Sequence, residues 1–464
     1  MTTTSAPPEP MPASIDVETT ENPSGTTTKS MLLNVGPSHP AMHGVIRIIT
    51  ELDGETVVNS DVEIGYLHRA FEKESEAVPW NNVFPYTDRL NYVSPLMNNV
   101  CYAMGVEKLL DVHPTERCDY IRVIISEVSR LTDHMTCIGA SAMELGAMTV
   151  FIYFMKAREY LYELVEELTG ARLTVSYVRV GGVKSDLPDG WLERLDKALD
   201  RCAKVIDEND KLLTRNRIFF DRMKDIGLIS AEEAWALGFT GPLLRAAGIP
   251  RDLRKDEPYL VYDQFDFDVP VGSVGDNYDR YLVRMEEMRQ SIRIVKQAIK
   301  QIPGGPVQVD MDGKPLTGAQ MVDAAKMGLT SDMLVRKVRL DPTLEGSNKD
   351  QIRFVNAPFK HVVLPPKEDT YGNIEGLMNH FMLIMDGEGI KVPAGEAYVA
   401  NEAANGELGF YIVSDGTGHA YRCRVRPPCF YLMQGLTKMI NGDMLADIVP
   451  TFGSINMIAG ELDR

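Results

Sequence analysis

Residues 117–148 read RCDYIRVIISEVSRLTDHMTCIGASAMELGAM, with apolar residues at helical spacing and no proline to interrupt them. A mostly apolar helix of this length needs other helices around it. The flanking stretches LMNNVCYAMGVEKLLDV (96–112) and FIYFMKAREYLYELVEELTG (151–170) supply them, so three long helices are predicted to form the centre of a bundle. On the middle helix Glu127, Arg130 and His134 recur at spacings of three and four on one face. Charges on a helix suited to burial need partners, which predicts an internal ion network, structural or proton-relaying. Glu144 stands among small and apolar residues near a helix break. It reads either as a capping or surface glutamate, or as a carboxyl whose desolvation raises its pKa and readies it for proton exchange.

Outward from the bundle the pattern changes. VIRIITELDGETVVNSDVEIG (45–65) has two β-branched runs around Asp53-Gly54, which predicts a hairpin in a small N-terminal sheet. Helices are predicted at 190–213, at 230–237, where Ser230 and Glu233 have capping-box spacing, and at 277–302. In the last of these Tyr278, Tyr281, Met285, Met288, Ile292, Val295, Ile299 and Ile302 form an apolar stripe that reads as core. ELGFYIVSDGTGHAYRCRVR (407–426) predicts a second hairpin, with Arg422, Arg424 and Arg426 on one face for local salt bridges or for contact with another subunit. The expected class is α+β. Its divisions are a disordered tail (1–30), an N-terminal β region (31–90), a helical bundle core (91–390), and a C-terminal hairpin with a core-returning tail (391–464).

With 464 residues, 44% hydrophobic and 25% charged, the composition is that of a folded globular chain. A net charge of −18 without a basic cluster excludes nucleic acid as the expected partner. The six cysteines form no Cys-x-x-Cys pair and read as reduced thiols. The longest apolar run, AMTVFIYFM (147–155), is about half of what a bilayer span requires, so membrane contact is expected through partners. The N-terminal stretch, rich in Thr, Ser, Pro and Glu, fits neither a secretory nor a mitochondrial signal.

GPSHPAMHGV (36–45) places His39 and His43 four residues apart. On a helix that spacing could chelate zinc, but Pro40 and Gly44 prevent the helix that would align the pair, and no third ligand stands nearby. Phosphate-cradling glycine motifs are absent as well. No metal or nucleotide site is expected in this chain.

Taken together, LNVGPSHPAMHGVIRI, EIGYLHRAFEK, YTDRLNYVSPLMNN, EVSRLTDHM, ELGAMTVFIY, GARLTVSYVRVGGV, TRNRIFF, RVRPPCFYLMQGL and GELDR closely resemble, in order, the D-subunit family of bacterial NADH:quinone oxidoreductase, respiratory complex I. The resemblance covers roughly residues 31–464. It implies a fold like the nickel-iron hydrogenase large subunit, without the metal. Asn91 and Ser94 stand where that enzyme's first thiolate pair would fall, and SINMIAGELDR (454–464) lacks the second.

The resemblance further implies a quinone site in which His43 and Tyr92 hydrogen-bond the headgroup, Glu144 pairs with His43 and couples quinone reduction to proton movement, and His39 is grouped with that proton coupling while mainly shaping the loop. Arg69 would lie near the terminal 4Fe-4S cluster of the adjacent B subunit. Two departures stand out. Glu144 replaces the usual Asp, one methylene shorter. Thr174 replaces a cluster-proximal His, so the cluster potential is expected to depend little on pH, which suits a low-potential quinone such as menaquinone. Expected partners are the B, C and I subunits and the membrane-embedded H and A subunits, at the cytoplasmic face of the inner membrane. The alternative is the equivalent subunit of a related membrane-bound complex fed by ferredoxin or another donor.

Overall fold

The computed structural model describes residues 19–21, 27–309, 315–316, 367–372, 374–385 and 390–464. Its axis is the helix Glu116–Glu144, which starts where the Thr115 side chain accepts the Cys118 N–H. The helices Pro95–Leu110, Met148–Thr169, Trp191–Leu213 and Asn277–Gln301 pack around it or each other. The expected capping box is formed, Ser230 and Glu233 reciprocally bonded at the start of Ala231–Ala236. Most of the stripe on Asn277–Gln301 is buried, from Tyr281 through Val295. The large core cluster fills the space between these helices and the C-terminal sheet.

The N-terminal sheet is antiparallel in chain order: Thr19–Glu21, Thr27–Val35, Arg47–Asp53 and Thr56–Glu63. The strand that carries Met31 therefore begins at Thr27, inside the stretch read as tail, while residues 1–18 and 22–26 of that stretch lie outside the described residues. The predicted turn is displaced by one residue. Asp53 pairs with Thr56, so the loop is Gly54-Glu55, and only Gly54 has positive φ, at 64°. That is the primed turn with glycine first, which leaves Asp53 free to extend the ladder. The C-terminal sheet orders its strands Arg422–Arg426, Gly406–Ser414, Gly395–Ala403. A second apolar cluster joins the N-terminal sheet to the last helices, among them Ile448–Ile455 and Ala459–Asp463.

The predicted ion network exists and is larger than its three founding residues. Arg130 and Arg254 both bond Glu127, which also accepts from Tyr262 and Ser291. Arg254 grips Asp252, Arg245 bridges Glu287 and Glu402, and His134 Nε2 lies 2.7 Å from Glu287 Oε2. All of these side chains are buried. Burial alone would raise the pKa of Glu127, but Arg130 and Arg254 outweigh it and hold the carboxyl down at about 2. The Arg422 and Arg424 guanidinium groups pair with Glu76 and Glu72, and Arg426 lies near Glu407, so local salt bridges take up all three.

No helix among the described residues is long and apolar enough to cross a membrane. The six cysteines are buried and free.

Candidate quinone site

The loop Gly36–Val45 folds as the prolines and glycines allow. Only one 3₁₀ turn, Pro40–Met42, forms, with Pro40 in its first position. His39 caps it, its Nδ1 accepting the Ala41 N–H at 3.2 Å, so the ring is spent on shaping the loop. His43 closes the turn in the left-handed region, φ 55°. Met42 is fully buried in the second cluster, which anchors the loop from below. The His43 ring meets Phe452 edge-on at a centroid distance of 5.6 Å. Although the residue is exposed overall, its imidazole is turned toward this helix. Loss of water there lowers its pKa, partly offset by the backbone of Met457, so His43 is neutral at pH 7.

Tyr92 packs half-buried against the same cluster. Desolvation raises its phenol pKa, with Cys429 and Asp133 adding to the rise and Arg69 opposing it. The hydroxyl therefore keeps its proton at neutral pH. Arg69 itself donates to the carbonyls of Arg89 at 2.7 Å and Gly460 at 3.4 Å, which ties it to the strip of chain just before Tyr92 and to the carboxyl end. Thr174 is half-buried on the loop after Met148–Thr169; two residues on, Ser176 bonds Asp88 through both its N–H and its hydroxyl.

One stripe of the Glu116–Glu144 helix faces the Ile448–Ile455 helix. Asp133 accepts from Asn456, Cys137 donates to the carbonyl of Gly453, and Ser141 and Glu144 crowd Gly453 itself. The spacing of four, four and three is that of one helical face. A Cβ at position 453 would lie 2.7 Å from Glu144 Oε2, so with the carboxylate in this position 453 has room only for glycine, and a larger residue would displace the carboxylate. Glu144 Oε2 is buried and accepts no hydrogen bond from the described residues, and desolvation pushes the carboxyl up to about 7. The reading of Glu144 as a surface or capping residue is thereby set aside. The direct Glu144–His43 pair implied by the resemblance is not formed: His43 rests on Phe452 and Glu144 on Gly453, consecutive residues of one helix.

A buried polar group beside the site carries weaker sequence signals. Asp133 adjoins His134 and follows Arg130 by three, at the edge of the triplet's face, and Asn91, Ser94, Asn405, Asn456 and Glu461 are scattered along the chain. Asn456 bonds both Asp133 and Asn405, Asn405 bonds Cys429, and Glu461 accepts the Cys429 N–H at 3.0 Å. Burial pushes the Glu461 carboxyl to about 7. A polar residue every few positions inside an apolar terminus, as in SINMIAGELDR, was the available signal. Among the described residues no cluster of three or more His, Cys, Asp or Glu is arranged to hold a metal.

The sequence comparisons agree with this architecture. Residues 144–464 match the family described as respiratory-chain NADH dehydrogenase, 49 kDa subunit. The D subunit of NADH-quinone oxidoreductase from Myxococcus xanthus is 50% identical over 437 residues, covering 94% of this chain and 93% of the relative. The corresponding D subunit of Sorangium cellulosum, the one numbered 1, is 49% identical over 457 residues, 98% of this chain and all of the relative. The C/D subunit of Bdellovibrio bacteriovorus is 48% identical over 436 residues, 94% of this chain and 69% of the relative. The chain therefore belongs to the 49 kDa, or D-subunit, family of respiratory complex I, the NADH-quinone oxidoreductase.

Proposed function

We propose that this chain forms, with the B subunit of the complex, the pocket where electrons from that neighbour's terminal 4Fe-4S cluster reduce quinone. The carrying observation is that Tyr92 and His43 rise from one apolar cluster with complementary proton states. Quinone needs two electrons and two protons to become quinol. The Tyr92 hydroxyl, which makes no hydrogen bond to the described residues, donates one to a headgroup oxygen. Neutral His43 has a free lone pair; it takes up a proton as negative charge develops on the headgroup and delivers it to oxygen. Glu144, its pKa raised to about 7, responds to the same charge through the Ile448–Ile455 helix, which both it and His43 touch. Arg69 supplies positive charge on the cluster side.

The relation to nickel-iron hydrogenases gains support from placement. Asn91 and Ser94, at the implied thiolate positions, both hydrogen-bond Asp133, and Asn456 from the other implied stretch does the same. In this reading polar side chains occupy what metal ligands would fill. The C/D relative supports the C subunit as a neighbour; the B, I, H and A subunits, and the cytoplasmic face of the inner membrane, complete the proposed setting.

The test is Tyr92→Phe in the assembled complex. Quinone reductase turnover is expected to fall by about tenfold to a hundredfold, with assembly and NADH oxidation by an artificial acceptor intact. Unchanged turnover overturns the assignment.

A further inference from the structure

Two supports must be held apart for the site to work, the loop that presents Tyr92 and the helix on which His43 rests. They are remote in sequence, yet both end on one side chain. Asp133 is fully buried on the Glu116–Glu144 helix. Its Oδ2 accepts from Asn91 Nδ2 at 3.0 Å and from Ser94 Oγ at 2.8 Å, residues that bracket Tyr92. Asn91 in turn folds its own Oδ1 onto the N–H groups of Val93 and Ser94, which makes the loop a closed turn around the tyrosine. The other oxygen, Oδ1, accepts from Asn456 Nδ2 at 2.6 Å. Asn456 ends the Ile448–Ile455 helix in the left-handed region, φ 59°, and that helix carries Phe452 under His43 and Gly453 under Glu144.

We propose that Asp133 is a positioning residue: its two carboxylate oxygens fix, one each, the Tyr92 loop and the helix on which His43 rests, so one side chain that hydrogen-bonds neither Tyr92 nor His43 sets their separation. This rests on the quinone-site reading above. A carboxylate is needed because three donors converge on two oxygens; an amide at this position has one acceptor atom and must release one support. A lost tie shifts one headgroup contact relative to the other, and misplacement of about 1 Å is enough to cost roughly a hundredfold in a positioned reaction.

Asp133→Asn in the assembled complex is expected to raise the KM for a short-chain quinone, assayed as both the ubiquinone and menaquinone analogue, by about tenfold. NADH oxidation by ferricyanide should stay unchanged per assembled complex. A purely structural role would lower the amount of complex without moving KM. If that variant does not assemble, Ser94→Ala removes one donor from the Tyr92 side alone and should raise KM by about threefold. In a Tyr92→Phe background Ser94→Ala should then add nothing, because the serine acts through the tyrosine. Normal quinone kinetics in assembled Asp133→Asn or Ser94→Ala, with Tyr92→Phe impaired, overturns the positioning role. Normal kinetics in Tyr92→Phe overturns the quinone-site reading itself.

Discussion

Glu144 owes its proton affinity to what surrounds it rather than to any partner. A carboxyl raised to about 7 is protonated below neutrality and charged above it. If the protonated form supports turnover, quinone reductase activity falls as pH rises through about 7. Glu144→Gln, fixed in the neutral state, should lose that limb and, being unable to exchange a proton, turn over about a hundredfold more slowly. A pH–rate profile of the variant that keeps the limb would assign it to another group. Thr174 makes the complementary point. In the proposed setting, with Thr174 beside the B subunit's cluster, its hydroxyl cannot take up a proton on cluster reduction, so the terminal cluster's midpoint potential should be nearly flat with pH. Redox titration of the complex at several pH values checks this, and a steep slope contradicts it.

The Ile448–Ile455 helix is the element on which the site turns. Gly453 leaves room for a glutamate where the resemblance implies an aspartate, and the obstructing atom for any larger residue is the far end of a flexible side chain. Gly453→Ala should therefore preserve the helix while driving the Glu144 carboxyl outward, lowering the pH midpoint of quinone turnover by roughly one unit. At this level the sequence was partly legible. Helical periodicity located the long helices, and proline and glycine chemistry located the His43 loop. What periodicity could not show was polar convergence: Asp133, Asn91 and Asn456 look unremarkable singly and acquire meaning only when three distant segments meet. The displaced Gly54-Glu55 turn has the same origin, since register is decided by the whole ladder rather than by the dipeptide.

At the scale of the described molecule, the buried charges depend on one another, because removing one partner leaves the other charged and unpaired in the core. Glu287 accepts twice from Arg245 with one oxygen and faces His134 with the other. Replacing it with Gln leaves Arg245 underpaired in the core, with an expected cost of roughly 3–5 kcal/mol. The readout is the yield and thermal inactivation of the assembled complex; wild-type behaviour would show that the cluster is dispensable. The sign with acid is equally definite. Because Glu127 lies at about 2 when folded against 4.5 ordinarily, its contribution is complete above about 4.5 and vanishes only as pH falls toward 2. The triplet Glu127, Arg130 and His134 was readable in advance because it follows one helix face; Asp252, Glu287 and Glu402 were not, being delivered by other segments.

The C-terminal sheet has one more consequence. The outward N–H groups of Cys423 and Val425, on the edge strand Arg422–Arg426, are occupied by Glu76 and Glu72 of the helix Phe71–Ala77. A bare edge strand is a template on which another chain can grow. Here two carboxylates of the same molecule, themselves paired with Arg422 and Arg424, close that template. The Cys423 and Val425 N–H groups are thereby withdrawn from pairing with the strand of another copy.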